Sequence, residues 1–293
     1  MMRMDAPPAS RAANRQALTR RWMSRGLCYF ILLSIALVSF FPFYVMLLGA
    51  TQDNYHITST VTLLPGRHLA GNYARMMQNK NIWRGFMNSL SLALANTAVC
   101  LYFSSLTAYA FAKFRFKGSG ALYGIIVSTM MIPGQLGVIG FFRQMSDMKL
   151  LNSYIPLILP AISNCFAVFF FRQYLESSLP NELIEASLMD GCPEITIFHR
   201  VVLPVMVPAL VTQGVMSFIG NWNSYLNPLI ILTQTQKMTL PVMLASIKSS
   251  GGAADYGAQY VGILVSVLPL LIVFAFANRV IVEKIAIGAA VKG

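Results

Sequence analysis

Charged side chains are scarce in this sequence. Only 11% of its 293 residues are charged, whereas 56% are hydrophobic, and a soluble domain usually carries about 25% charged residues. Because so little polar surface cannot cover a water-soluble globule of this length, part of the solvent around the chain must be lipid. The sequence therefore predicts an integral membrane protein.

Acidic residues are fewer than basic residues. The sequence has 10 acidic and 22 basic residues and a net charge of +12. In a soluble protein this excess would suggest a nucleic-acid partner. Here the basic residues lie in short tracts between apolar runs, as topology signals of membrane proteins do. No nucleic-acid partner is expected.

Motifs for enzyme chemistry are missing. The sequence holds no Gly-Lys-Ser/Thr loop, no His-Glu-x-x-His and no Gly-x-Ser-x-Gly, so it supports neither a nucleotide site nor a protease or lipid hydrolase. Its four cysteines form no Cys-x-x-Cys pair, which indicates neither a disulfide framework nor a metal site. We expect no catalytic residue, no metal ligand and no cofactor on this chain.

Six apolar runs are long enough to cross a bilayer, which takes about 20 helical residues. They predict an all-α, polytopic fold, with a polar tail at 1–26 and a membrane domain at 27–293. The first run is longer than the core of a signal peptide and predicts an uncleaved helix. The runs cover about 27–50, 86–112, 119–142, 154–171, 205–233 and 260–280.

Ionisable residues are absent from the interior of all six runs. Such residues usually carry proton relays and voltage sensing. Their absence argues against a proton-coupled transporter, a pump with its own carboxylate relay and a voltage-gated channel. A protein of this kind that moves a solute uphill needs energy from a soluble partner, although a sodium-coupled transporter could still use carbonyls and hydroxyls.

The basic residues also predict the orientation. Six spans place both termini on one side, and that side holds fourteen of the 22 basic residues. Since basic residues favour the cytoplasmic side of a membrane, we expect both termini in the cytoplasm.

After the tail, the longest segment predicted on that side is the connection from Arg172 to Leu203. It contains residues that typically begin or end helices. Pro180 suits a first turn, Gly191 suits a helix end because glycine tolerates the left-handed conformation, and Pro193 suits the start of a second helix. This predicts an elbow of two surface helices at about 180–203. Its acidic and apolar faces suit docking into a groove on another protein.

The same segment carries a specific spacing. Glu185-Ala186-Ser187 is followed by three residues, Gly191, nine residues and Val201-x-Leu203-Pro204. This resembles the EAA signature of ABC importer permeases, which reads Glu-Ala-Ala, three residues, Gly, nine residues, Ile-x-Leu-Pro. The departures, Ser187 for Ala and Val201 for Ile, are small.

Further stretches resemble the carbohydrate subgroup of that family, the maltose-type permeases, and lie in the order found there. They are Asn88-Ser89-Leu90, Ala108-Tyr109-Ala110-Phe111-Ala112, Leu151-Asn152-Ser153-Tyr154, Trp222-Asn223 and Asn227-Pro228-Leu229. The resemblance covers about residues 27–293.

The resemblance implies a multi-pass permease in a bacterial inner (plasma) membrane. Its partners would be a second, related permease, a cytoplasmic ATPase dimer that holds ATP and Mg and does the hydrolysis, and an extracytoplasmic binding protein for a sugar. The elbow would couple to the ATPase, with Glu185 in polar contact and Gly191 at the turn. The coupling residues implied are Glu185, Ala186, Ser187, Asp190, Gly191, Leu203 and Pro204.

A second group of polar and aromatic residues lies inside apolar runs and suits a sugar, because amides bond hydroxyls and rings stack on the C–H face. An alternative is that they make helix–helix hydrogen bonds and an interfacial tryptophan anchor. The possible substrate-path residues are Asn96, Gln213, Asn221, Trp222, Asn223 and Tyr225.

Two other functions stay open at this stage. A stand-alone ion-coupled transporter would work without an ATPase, and a membrane scaffold would show no substrate-dependent activity. The spacing of the EAA-like signature argues against both.

Overall fold

The computed structural model describes the backbone of residues 8–60, 63–79, 81–248 and 252–291, and the side chains of 22, 25–60, 63–78, 81–248 and 252–279. Helices dominate these ranges, and their sole β-pairing is a bridge between Lys248 and Ala254. Apart from short 3-10 turns and a π turn, the helices are α1 Pro8–Thr51, α2 Asn54–Ser59, α3 Leu69–Asn79, α4 Ile82–Lys113, α5 Ser119–Thr129, α6 Val138–Asp147, α7 Ile155–Ile158, α8 Cys165–Ser178, α9 Asn181–Met189, α10 Glu194–Ile197, α11 Leu203–Val205, α12 Val207–Trp222, α13 Leu226–Ile231, α14 Leu240–Ala245 and α15 Tyr256–Val291.

Within the described ranges, four stretches are long and apolar enough to cross a membrane unbroken, and two bent pairs raise the number to six if each pair is one span. The predicted all-α, polytopic membrane fold is therefore confirmed. The unbroken stretches are Arg25–Thr51 of α1, α4, Ile155–Ser178 through α7 and α8, and Tyr256–Arg279 of α15.

The predicted third span, 119–142, is not one continuous helix. α5 ends at Thr129, a 3-10 turn occupies Gly134–Gly137, and the segments before and after this break meet at 87°. Pro133 precedes the turn with extended backbone, ψ 121°. A proline has no N–H for the helical ladder and disfavours helical backbone in the residue before it, so the helix cannot run through this position.

The predicted fifth span, 205–233, is also wrong in its bounds. α12 starts at Val207 after a 79° bend from Glu194–Val205, and it ends at Trp222. Pro208 lies in the first turn of α12, where a missing N–H costs no hydrogen bond. The elbow's second helix therefore leads directly into α12 through one bend at Met206.

Other boundaries also differ from the sequence prediction. α1 begins at Pro8, so helix continues through the expected boundary at residue 26, while residues 1–7 of the expected tail lie outside the described ranges. The fourth span reaches Ser178 rather than 171. α15 begins at Tyr256, four residues before the predicted start.

α4 is the central helix of the bundle and packs most extensively against α8 and α12. Its buried face is dominated by small and polar residues, which allow helix backbones to approach closely. α4 therefore lies within the helix bundle. The buried residues in its middle and C-terminal half are Ala93, Asn96, Cys100, Ser104, Ser105, Ala108 and Tyr109.

Candidate functional site

The elbow predicted at about 180–203 consists of α9, a tight turn and the helical stretch Glu194–Val205. Pro180 and Pro193 each stand just before a helix with extended backbone. Gly191 has φ +78°, the left-handed conformation predicted for it. A π turn at Phe198–Val202 follows α10, a local geometry that is frequent at functional sites.

One face of the elbow packs on the membrane helices and the other is exposed. Ile184, Phe198 and Val202 are buried against α4 and α8. Four large apolar side chains point outward, among them Met189, which is 88% exposed; the others are Leu183, Leu188 and Ile195. Ile195 is thus exposed, although Phe198 and Val202 on the same short helical stretch are buried.

The coupling residues implied by the resemblance are mostly at this exposed surface. Ser187 is half-buried and bonds its Oγ back to the Leu183 carbonyl at 2.8 Å. Leu203 is half-buried at the start of α11. The exposed members are Glu185, Ala186, Asp190, Gly191 and Pro204. Their coupling role stays a prediction.

The C-terminal half of α4 is joined to the elbow by polar contacts that the sequence did not indicate. The Tyr109 hydroxyl donates to Glu194 Oε2 at 3.0 Å. Lys113 Nζ donates to Asn181 Oδ1 at 2.9 Å and to a backbone carbonyl just before α9. α4 is thereby attached to both helices of the elbow.

A cavity of about 420 Å³ lies farther along α4, towards its N-terminal end. At about 1.5 Å per residue, the stretch of α4 that lines it, Ser89 to Cys100, spans about 16 Å. The other walls come from the break before α6, from α6 and α7, from the segment leading into α8, from α12 and α13, and from the residue before α14. The lining residues are Ser89, Leu92, Asn96, Cys100, Gly134, Gly137, Val138, Phe141, Pro156, Leu157, Pro160, Ala161, Asn164, Ser217, Asn221, Ser224, Asn227, Pro228 and Thr239.

The structure brings two predicted substrate-path residues together in this cavity. Asn96 is 5% exposed and donates from Nδ2 to the Leu92 carbonyl at 3.0 Å. Asn221 donates from Nδ2 to the Ser217 carbonyl at 2.8 Å. Both amides use an N–H within their own helix, and neither Oδ1 accepts a hydrogen bond from the described residues.

The other predicted path residues lie elsewhere. Trp222 is buried between Phe86 and Phe218, and its Nε1 donates to the Ser266 carbonyl at 3.0 Å. Gln213 is buried beside Cys100. Asn223 lines a separate cavity of about 350 Å³, and Tyr225 is 41% exposed.

Several residues that line the cavity were not identified as site residues from the sequence. They come from segments far apart in the chain, so no periodicity connects them. Ser89 and Asn227 belong to the stretches that resemble the carbohydrate subgroup, but that resemblance gave them no role. The other polar residues missed are Asn164, Ser217, Ser224 and Thr239.

The described residues do not form a metal-binding site. They contain no cluster of three or more His, Cys, Asp or Glu side chains that could hold an ion. The four cysteines, all described, are free thiols.

Comparison with known proteins decides the family. Residues 101–287 match the model of the "Binding-protein-dependent transport system inner membrane component" family. The chain belongs to this family. It is a multi-pass permease subunit of a bacterial inner membrane, and the resemblance to ABC importer permeases is confirmed. Membership implies an ATPase, a solute-binding protein and a second permease as the kinds of partner.

Three curated relatives match this permease over most of their length. It is 33% identical to the arabinooligosaccharides transport system permease protein AraQ of Bacillus subtilis (strain 168), covering 90% of this chain and 94% of the relative. It is 35% identical to the lactose transport system permease protein LacG of Rhizobium radiobacter, over 87% and 92%. It is 29% identical to the sn-glycerol-3-phosphate transport system permease protein UgpE of Escherichia coli O1:K1 / APEC, over 90% and 96%.

A solved structure has the same fold. It belongs to a bacterial ABC transporter that imports the acidic polysaccharide alginate, and the match has a TM-score of 0.75 at 24% identity. The match covers 89% of this permease and 97% of that chain.

Proposed function

We propose that this permease forms one half of the pore of an ABC importer for a sugar or oligosaccharide. Two relatives above 30% identity are named for arabinooligosaccharides and lactose, which supports that cargo class. The observation that carries the coupling mechanism is the elbow, because it offers apolar side chains to a partner while its other face is anchored in the bundle.

The proposed energy source is a pair of ATPase subunits that bind ATP and Mg, while this chain carries no cofactor. Leu183, Leu188 and Met189 would enter an apolar groove on the ATPase, with Glu185 in polar contact at its edge. An amphipathic helix laid into a groove is a common mode of recognition between proteins. Closure of the ATPases on ATP would then displace the elbow.

Displacement of the elbow reaches both sides of the cavity. α12, which carries Asn221, continues from the elbow through the bend at Met206. α4, which carries Asn96, is held to it by Tyr109 and Lys113. A force on the elbow therefore acts on two cavity walls, which supports alternating access. Hydrolysis would reset the cycle.

The proposed orientation places both termini and the elbow in the cytoplasm. The distribution of basic residues supports it, as does the elbow's role, since an ATPase partner is cytoplasmic. The end of α4 near Ser89 then faces the binding protein. Asn96 and Asn221 lie on the substrate's path in this arrangement, and Trp222 acts by packing.

The first experiment is purification of the tagged permease from its native membrane in mild detergent, followed by mass spectrometry of the proteins that accompany it. We expect an ATPase, a second permease of the same family and, on adding sugar, a binding protein. As a matched pair, Glu185→Ala should weaken retention of the ATPase, whereas Glu176→Ala, on the last turns of α8, should not.

A permease that purifies alone, under conditions that preserve other complexes of this kind, contradicts the proposal. Uptake that then depends on a sodium gradient would indicate a stand-alone transporter. Absence of any substrate-dependent activity would indicate a scaffold.

A further inference from the structure

We propose that the 420 Å³ cavity is a binding subsite on this chain for an uncharged, polyhydroxy segment of the cargo. The inference rests on the proposed sugar import and goes beyond it, because it assigns a ligand class to particular side chains. The cavity volume falls within the range of about 300–1,000 Å³ that is typical of small-molecule sites.

The polar lining is rich in groups that pair with sugar hydroxyls. Asn96 and Asn221 present amide oxygens as acceptors. Ser89 Oγ accepts from the Leu240 N–H at 2.8 Å, so its own hydroxyl proton remains available to a ligand. Carboxamides and hydroxyls together supply donors and acceptors, as a polyol requires.

Thr239 adds a hydroxyl with unused hydrogen-bonding capacity to the wall of the cavity. It is 4% exposed and lines the cavity, and its Oγ1 is buried without a hydrogen-bond partner among the described residues. Buried hydroxyls without a partner are uncommon, because desolvation without a compensating bond is unfavourable. Rotation about the Thr239 Cα–Cβ bond would offer this hydroxyl to a ligand in the cavity.

The lining also selects against charge. No Asp, Glu, Lys, Arg or His is among the described residues that line the cavity. Burying a phosphate or carboxylate away from water without an opposite charge is strongly unfavourable. The apolar part of the lining, which includes Phe141 and Leu157, suits the C–H surfaces of a sugar ring. The geometry therefore points to a neutral sugar rather than to a sugar acid or a phosphate ester.

The test is equilibrium binding of radiolabelled probes to the purified permease–ATPase complex. Lactose and arabinotriose serve as neutral probes and sn-glycerol 3-phosphate as the anionic probe. We expect a neutral probe to bind at least about tenfold more tightly than the phosphate ester. Asn221→Leu and Thr239→Val should each weaken that binding about three- to tenfold, since each removes one neutral hydrogen-bonding group.

Two matched variants separate a ligand contact from a general effect on the fold. Asn223→Leu removes a neighbouring amide. Asn223 lies two residues beyond Asn221 and lines the second cavity. Thr97→Val removes another buried hydroxyl that has no partner among the described residues and does not line this cavity. Both should leave binding of the neutral probe unchanged, and ATP hydrolysis by the complex should persist in all four variants.

Three results would overturn the subsite. They are binding of the phosphate ester as tight as that of the neutral probes, no binding of either neutral probe to an active complex, and equal effects of the cavity variants and their controls. Failure of the permease to assemble with an ATPase would instead overturn the proposed function.

Discussion

The Tyr109 hydroxyl donates to Glu194 Oε2 across 3.0 Å and joins the core helix α4 to the elbow. Tyr109 is 3% exposed and its ring packs on Phe198, so the hydroxyl is held in place. Asn96 lies about 20 Å from Tyr109 along the same helix, and α4 contains no proline. The pair therefore connects the elbow to the cavity wall through one rigid element.

Tyr109→Phe should uncouple transport from ATP hydrolysis. The change removes the hydrogen bond and keeps the ring, so assembly should persist while sugar uptake per ATP hydrolysed falls about three- to tenfold, as expected for one hydrogen bond to a partly solvated charged group. The measurement compares uptake and hydrolysis in proteoliposomes.

Tyr44→Phe is the control for Tyr109→Phe, because it also removes a tyrosine hydrogen bond, to the Leu63 carbonyl at 2.9 Å, in a part of the chain away from the elbow. A double-mutant cycle with Glu194→Ala tests the pair directly. Additive losses in the double variant would show that the two side chains act independently.

Gly191→Val should prevent ATPase docking while the permease still inserts into the membrane. A Cβ added at this position would meet no described heavy atom within 4 Å, so the obstacle is the backbone angle of φ +78°, which β-branched residues avoid. Gly191→Asn should retain docking, because asparagine tolerates this conformation. Co-purification of the ATPase measures both. Docking by the valine variant at the wild-type level would show that the turn is not required.

Arg75→Leu should destabilise the side of the protein opposite the elbow. Arg75 Nε lies 2.8 Å from Asp255 Oδ2, and Asp255 is fully buried at the start of α15, where its Oδ1 accepts from the Ala258 N–H at 3.1 Å. Removing the cation leaves a buried charge without its counter-ion, which costs about 3–5 kcal/mol of unfolding free energy.

A second change should restore part of the stability lost in Arg75→Leu. Asp255→Asn in the same chain removes the unpaired charge and keeps a side-chain oxygen for the start of α15. Thermal unfolding in detergent ranks the variants. A double variant less stable than Arg75→Leu alone would contradict the account of a buried ion pair.

Trp222→Phe should lower stability and leave sugar binding unchanged. Trp222 is 1% exposed, and its Nε1 donates to the Ser266 carbonyl. Losing that bond and part of the ring volume costs about 1–3 kcal/mol. Thermal unfolding and probe binding are measured on the same preparation. Weaker binding at unchanged stability would instead place Trp222 at the substrate.

Much of the fold follows from the sequence, because the length of an apolar run and the residues that begin or end a helix are properties of one segment of the chain. Gly191 was predicted at a left-handed helix end and has φ +78° there. The errors have one physical origin. Pro133 and the prolines around Met206 stand in apolar runs, and hydropathy alone does not distinguish a straight span from a bent one.

The candidate site was less predictable than the fold. Asn96 and Asn221 were identified by chemistry, since amides in apolar helices are unusual. Trp222 and Asn223 belong to the same polar stretch as Asn221, but the helix directs neighbouring residues to different faces. Thr239 had no distinguishing signal in the sequence, because its significance comes from burial without a partner among the described residues.

The sequence by itself determined that the chain lies in a lipid bilayer, that it is helical, which family it belongs to and where the elbow lies. Each of these depends on composition or on spacing within one segment. Tertiary structure alone decided which polar groups share a cavity and which helices the elbow moves. The cavity gathers side chains from residues 89 to 239, and the link between Tyr109 and Glu194 joins residues 85 positions apart. Contacts at such separations arise from packing of the whole bundle, which no local pattern encodes.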